Sequence, residues 1–256
     1  MNMVLTFQPE VDQHAKSDDI SLPCEERLSD SLFVERVWHS RSDKGGSFIS
    51  TAESHWEMVV TKYQDRTTLT VRGPETRATP AFCPPDSEFC GIVFKAGAFM
   101  PTFPASMVMD RRDLNLPLAS SKSFWLNSSA WQFPNFENAD TFINRLVHEG
   151  LLVHDPMIDV ALREQPHMRS RRTIQRRFLQ ATGLTYNMVY QIQRARYATT
   201  LLKQGMSILD VVEMAGYSDQ PHMTRVLKYL MGYTPAKIVG KNTTVPMSLL
   251  FKTLPF

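Results

Sequence analysis

Five side chains within one short stretch, Gln220, His222, Thr224, Arg225 and Lys228, offer hydrogen-bond donors with no carboxylate among them. Gln and Arg can each make two bonds to a base edge, while Thr and Lys suit phosphate oxygens. A second group precedes it by about fifty residues: Arg171, Arg172, Gln175, Arg176 and Arg177. For either group alone, a solvated basic face is the competing reading. The repetition of the same chemistry points to a polyanion read by two elements, that is, to non-covalent recognition rather than bond making.

The apolar positions around these residues say what must hold them. Ser207 and Asp210 have capping-box spacing, so a helix starts there. Ile208, Val211, Val212 and Ala215 follow at i, i+3, i+4 and i+7, and Gly216 suits a left-handed stop. After Tyr217 and Ser218, Asp219 caps a second helix and Pro221 fits its first turn. Met223, Val226, Leu227 and Leu230 repeat the buried face, and Gly232 ends it. Two helices around so short a turn form a helix-turn-helix. Upstream, Ile174, Phe178 and Ala181 give Ser170–Gly183 one apolar face. Between the two groups, Thr185 caps a helix from Tyr186 to about Gln204, bounded by Gly205. Its 19 residues span ~28 Å at ~1.5 Å each. Neighbouring major grooves lie ~34 Å apart, so a rod of this length can serve two of them. Thr234-Pro235 reads as a cap and first turn of a closing helix packed by Ala236, Ile238 and Val239.

The totals bound the class. The chain has 256 residues, 43 % of them hydrophobic, enough for one large or two modest domains. No run approaches the ~18 apolar residues of a membrane span, and no basic patch with an apolar stretch marks a secretory signal. A cytoplasmic, DNA-associated protein with no membrane contact is the expectation. The net charge of +2 conceals a division. Residues 1–164 hold 15 Lys/Arg against 23 Asp/Glu, and residues 165–240 hold 11 against 3. Only the basic part is suited to a polyanion. Cys24, Cys83 and Cys90 lack metal spacing, and no nucleophile-base-acid set or phosphate-binding glycine loop occurs. Neither catalysis, nor a cofactor, nor a metal is expected.

The acidic part has a different texture. LFVERVW (32–38), HWEMVVTKY (55–63), TTLTVRG (67–73) and EFCGIVFKAG (88–97) are short, rich in β-branched and aromatic residues, and separated by turn formers. They read as an antiparallel sheet or partial barrel. Residues 100–134 have no clear period and are expected to wrap it. Helices are expected from Asn138 or Asp140 to Leu152 and from Pro156 to about Gln165. Trp38, His39, His55, Trp56, Glu57 and Arg72 lie on or beside strands. Of these, Trp38, His39, Trp56, Glu57 and Arg72 are candidates to line an effector pocket, Arg72 holding a carboxylate and the tryptophans an apolar body. Core packing is the competing reading for the tryptophans.

The motifs RRFLQATGLT (176–185), RARYATTLLKQG (194–205), SILDVVEMAGYSDQ (207–220) and TRVLKYLMGYTP (224–235) together resemble the DNA-binding module of AraC/XylS-type transcriptional regulators. GIVFKAGAF (91–99) and FENADTFINRLVHEGLL (136–152) resemble the sensor-like region of some members. The resemblance implies a cupin-like N-terminal domain and two helix-turn-helix units on one linking helix, each unit reading one major groove of double-stranded DNA. It places Arg172, Gln175 and Arg176, and in the second unit Gln220, Pro221, His222 and Arg225, against bases. Pro221 departs from the family pattern and is limited to apolar contact, as with a thymine methyl. Arg171, Arg177, Arg194, Arg196, Thr224 and Lys228 are then expected on the DNA backbone. Implied partners are RNA polymerase or its sigma factor, a small-molecule effector and a second copy of the chain. The segment between Ala161 and Ser170 departs from the family by lacking its glycine-containing turn, which leaves open whether the first unit reads bases or grips phosphates. Other proteins with this module are cysteine-dependent alkyl-transfer repair proteins, and a non-specific DNA binder is a further alternative.

The expected architecture is α+β: an arm (1–30), a β-rich sensor or dimerisation domain (31–134), a helical connector (135–165), a DNA-binding domain (166–240) and a tail (241–256), apolar over 247–256 and expected to dock. If Arg225 reads a base, Arg225→Ala abolishes sequence preference in the second half-site and leaves the fold intact. Enrichment of random duplexes by the variant, beside its circular dichroism spectrum, checks this.

Overall fold

The computed structural model describes residues 24–110, 113–164 and 171–240. The expected tail docking and the irregular turn before Ser170 lie outside them. Twelve strands come first: β1 (Cys24–Leu28), β2 (Val34–Ser42), β3 (Gly46–Ser50), β4 (Glu57–Tyr63), β5 (Arg66–Arg72), β6 (Thr79–Cys83), β7 (Ser87–Phe94), β8 (Ala98–Phe99), β9 (Leu114–Asn115), β10 (Leu118–Ser120), β11 (Ser123–Leu126) and β12 (Ser129–Gln132). Then follow α1 (Ala139–His148), β13 (Val153–His154), α2 (Pro156–Glu164), α3 (Arg171–Thr182), α4 (Tyr186–Lys203), α5 (Ile208–Met214), α6 (Gln220–Met231) and α7 (Pro235–Val239). The class is α+β, a β-rich region of several sheets followed by a helical region.

The main sheet has six antiparallel strands in the order β1-β2-β7-β4-β5-β9. Its register puts Val37, Ile92, Met58 and Val71 side by side on one face. All four are buried, and Phe124, Trp131 and the α1 residues Phe142, Ile143 and Leu146 close this core. On the other face Trp38 stands opposite Gly91. A Cβ at Gly91 would overlap the Trp38 indole, so the central strand must carry glycine there.

Three elements differ from the sequence reading. The region 100–134 contains the three-stranded sheet β10-β11-β12, whose strands are too short to show a period. Its last turn places Asn127 and Ser128 at φ 49° and 61°, the twist that a two-residue hairpin favours. β1 falls inside the expected arm and forms one edge of the main sheet. α1 stops at His148 rather than Leu152, and Gly150 turns the chain at φ 68°.

The helical region follows its caps. Thr185, Ser207, Asp219 and Thr234 each accept from the backbone N–H three residues on. α4 lies at the centre, against α3, α5, α6 and α7. Phe178, Val189, Ile192, Ala195, Ala198, Leu202, Val211, Met223, Leu227 and Tyr233 fill its core. Ala52 from the β-rich region is buried in this same core, and Ile49 and Met109 pack on it. The two regions thus share a packed boundary.

Overpacking a tight site costs ~1–3 kcal/mol. Gly91→Ala is expected to lower stability by about that much, read as the urea midpoint followed by tryptophan fluorescence.

Candidate nucleic-acid interface

The α5–α6 unit is set by its turn. The Asp219 carboxylate accepts from the His222 N–H at 2.6 Å, and Gly232 ends α6 at φ 78°. Gln220, Pro221, Arg225 and Lys228 are exposed, with Thr224 half-buried beside them. His222 is half-buried and belongs partly to the turn. Its Nδ1 lies 3.0 Å from Ser218 Oγ, and its ring stands edge-on to Tyr217 at 5.5 Å.

On α3, Arg172, Gln175 and Arg176 are exposed at i, i+3 and i+4, while Ile174, Phe178 and Ala181 face the core. Nothing is described of the Arg171 side chain. Arg177 bonds Asp155, at 2.8 and 2.9 Å from its two carboxylate oxygens, which ties α3 to the connector.

Three of the residues expected on the DNA backbone, Arg177, Arg194 and Arg196, are engaged within the chain. Arg196 is buried and paired with Glu53 of the β-rich region. The helical period alone could not tell which face of α4 a second domain would cover. Arg194 donates to the Gly216 carbonyl at 3.2 Å and to Gln191 at 2.7 Å, and its guanidinium lies 4.2 Å from the Tyr217 ring. It braces α4 against the turn of the second unit. Arg177, tied to Asp155, is likewise engaged within the chain.

The effector candidates separate. Trp38, Glu57 and Arg72 share one face of the main sheet, whereas His39 lies on the opposite face, 6.4 Å from Phe136. Arg72 is met by Glu57 at 3.4 Å and Asp113 at 3.3 Å, so its charge is already matched. Trp56 is buried, and its indole N–H donates to the Ala181 carbonyl at the end of α3 at 2.9 Å. It serves the boundary between the regions rather than a pocket.

That boundary contains residues the sequence reading missed. The backbone N–H groups of Ala52 and Ala78 donate to the Leu230 and Tyr229 carbonyls at 2.7 and 2.9 Å. Ile49 lies 2.5 Å from where a Cβ at Gly232 would sit. His55 contacts Glu53 at 2.8 Å and Glu35 at 3.5 Å, and Glu35 meets Arg36 at 2.9 Å. Burial would raise the Glu53 carboxyl, but Arg196, His55 and Arg36 hold it well below its usual range. Burial would lower His55, but Glu35 and Glu53 raise it. The backbone donors carry no side-chain signature, and the links that join the Glu-His-Arg cluster across the boundary, Glu53 to Arg196 and His55 to Glu35, connect residues distant in the chain.

The thiols are not activated. Burial pushes Cys90 up to about 11 and raises Cys83. Burial and the Glu26 charge push Cys24 up to about 12. Among the described residues no group of three or more His, Cys, Asp and Glu could hold a metal ion, and no helix is long and apolar enough to cross a membrane.

Residues 168–240 match the family model described as a helix-turn-helix domain. The chain is 32% identical over 88 residues to the HTH-type transcriptional regulator RipA of Corynebacterium glutamicum, covering 34% of this chain and 27% of that protein. It is 35% identical over 85 residues to RipA of Corynebacterium diphtheriae, covering 33% and 24%. The matched part thus spans about a quarter of the length of these curated relatives. No solved structure matches the chain significantly. The double unit built on α4 is an AraC-type helix-turn-helix domain.

The boundary cluster sets a pH window. The folded pKa of Glu53 lies below its usual 4.5, so its contribution is present above 4.5 and is lost as pH falls through the lowered value. The folded pKa of His55 lies above its usual 6.5, so its contribution is complete below 6.5 and is lost as pH rises through the raised value. The stability difference between the wild type and His55→Gln is therefore expected to be greatest below pH 6.5 and to shrink above it, read from urea midpoints across the pH range.

Proposed function

We propose that this chain is a sequence-specific DNA-binding transcriptional regulator of the AraC/XylS type, reading two successive major grooves with α3 and α6. The observation that carries this reading is the pairing of two exposed donor faces on one rigid scaffold. Arg172, Gln175 and Arg176 stand on α3 and Gln220 and Arg225 on α6, with Pro221 beside them for apolar contact, and both helices pack on α4. Arg fits guanine O6 and N7, and Gln fits adenine N6 and N7, each good pair contributing ~1–3 kcal/mol of discrimination. His222 joins them from the first turn of α6. Arg171, Thr224 and Lys228 remain as the phosphate contacts, while Arg177, Arg194 and Arg196 brace the domain from within. Within this reading the β-rich region holds α3 and α6 in place, and a small effector would meet the sheet face that carries Trp38, Glu57 and Arg72. RNA polymerase or its sigma factor and a second copy of the chain are the protein partners this function calls for. Alkyl transfer by a cysteine is disfavoured, because burial raises all three thiols and only a thiolate is nucleophilic.

Enrichment of random duplex DNA by the full chain, at two stated salt concentrations, tests this. Two short motifs about one helical turn apart are expected, with affinity falling steeply as salt rises. Salt-sensitive binding without any enriched motif would reduce the protein to a non-specific DNA binder.

A further inference from the structure

A five-residue stretch of the β-rich region, Ala52–Trp56, touches all three helices that determine how DNA would be read. Ala52 donates its backbone N–H to Leu230 at the end of α6. Glu53 pairs with Arg196 on α4. Trp56 donates its indole N–H to Ala181 at the end of α3. The stretch is itself fixed to the sheet. Glu53 and Glu75 exchange two backbone hydrogen bonds at 2.9 and 2.8 Å, and the Phe94 N–H donates to the Trp56 carbonyl at 2.8 Å. Neighbouring contacts reinforce both ends: Ala78 donates to Tyr229 on α6, and Met109 and Ala105 lie against Gly183 just beyond α3.

An α-helix moved along or about its axis carries its base-reading side chains with it. Both reading helices are held here by their last carbonyls, on donors that belong to one short, sheet-anchored segment. We propose that Ala52–Trp56 is a ruler that fixes the placement of α3 relative to α6, so that Glu53 and Trp56 are positioning residues for the spacing between the two half-sites. The proposal rests on the two-groove reading above. It assigns the β-rich region a part in specificity that requires neither an effector nor any contact with DNA.

The test uses the full chain as wild type, Trp56→Phe and Glu53→Gln. Each is titrated with duplexes carrying both wild-type half-sites at the enriched spacing, with one or two base pairs inserted or removed, and with each half-site alone. Thermal melting followed by circular dichroism monitors the fold. Affinity for single half-sites is expected to stay within about twofold of wild type, because neither residue approaches a base. Preference for the enriched spacing over the altered ones is expected to fall by about tenfold, the scale that loss of one buried hydrogen bond or ion pair supports. Glu53→Gln conserves volume and decides the matter if Trp56→Phe loosens the fold. Cooperatively melting variants that keep the wild-type spacing preference overturn the ruler. A wild type that enriches no two-part site overturns the two-groove reading itself, and the wild-type arm alone reveals that outcome.

Discussion

An α-helix leaves its last four carbonyls without partners inside the helix, and a carbonyl buried at a domain boundary must find a donor or lose free energy. Helices α3 and α6 both end in that situation. α3 presents Ala181 and α6 presents Tyr229 and Leu230 to the β-rich region, which answers with the Trp56 indole and the backbone N–H groups of Ala78 and Ala52. The helical domain could not be turned against the sheet without unpairing these groups. Much else in the boundary follows from that requirement. Gly232 leaves room for Ile49, Gly183 leaves room for Met109, and Ala52 joins the helical core.

The ion pairs at the same boundary have a different physical character. Arg196 and Glu53 are both withdrawn from water, and a buried pair recovers its desolvation cost only when further polar contacts complete it. Here His55 contacts Glu53, Glu35 contacts His55, and Arg36 contacts Glu35 and, at 3.9 Å, Glu26. The charges alternate from the edge strand β1 to the central helix α4. Removing Arg196 would leave the Glu53 carboxylate with only His55 as an ion-pair partner among the described residues. Such a cluster specifies one arrangement of the two regions more than it adds net stability. It also explains why an arginine on the central helix of a basic domain does not face solvent.

Electrostatics divides the molecule into an acidic half and a basic half, and the division survives folding in a useful form. Acidic side chains near the boundary are paired with arginines of the helical region, Asp155 with Arg177 and Glu53 with Arg196. Among the described residues, the exposed Arg172, Arg176 and Arg225 of α3 and α6 form no salt bridge. Arg194 stacks on Tyr217 and bonds the Gly216 carbonyl, so it stiffens the turn that presents α6.

What the sequence by itself determined was local. The helix starts at Thr185, Ser207, Asp219 and Thr234, the left-handed stops at Gly216 and Gly232, and the buried stripes of α3 to α7 are all written within a few residues of where they act. So is the exposure of Arg172, Gln175, Arg176, Gln220 and Arg225 on α3 and α6, which is why the helical domain and its polar faces were legible. The longer strands β2, β4, β5 and β7 were legible for the same reason, whereas β10–β12 were too short to show a period. Tertiary structure alone decided which arginines are free. Arg196 and Arg177 are locally like the exposed arginines of the same domain, and only the approach of Glu53 and Asp155 from other regions engages them in ion pairs. It also decided the fate of Trp56, whose indole crosses 125 residues of sequence to reach Ala181. Helix periodicity and capping are interactions within a few residues, so sequence encodes them visibly. The packing of one domain on another depends on residues that become neighbours only after both have folded.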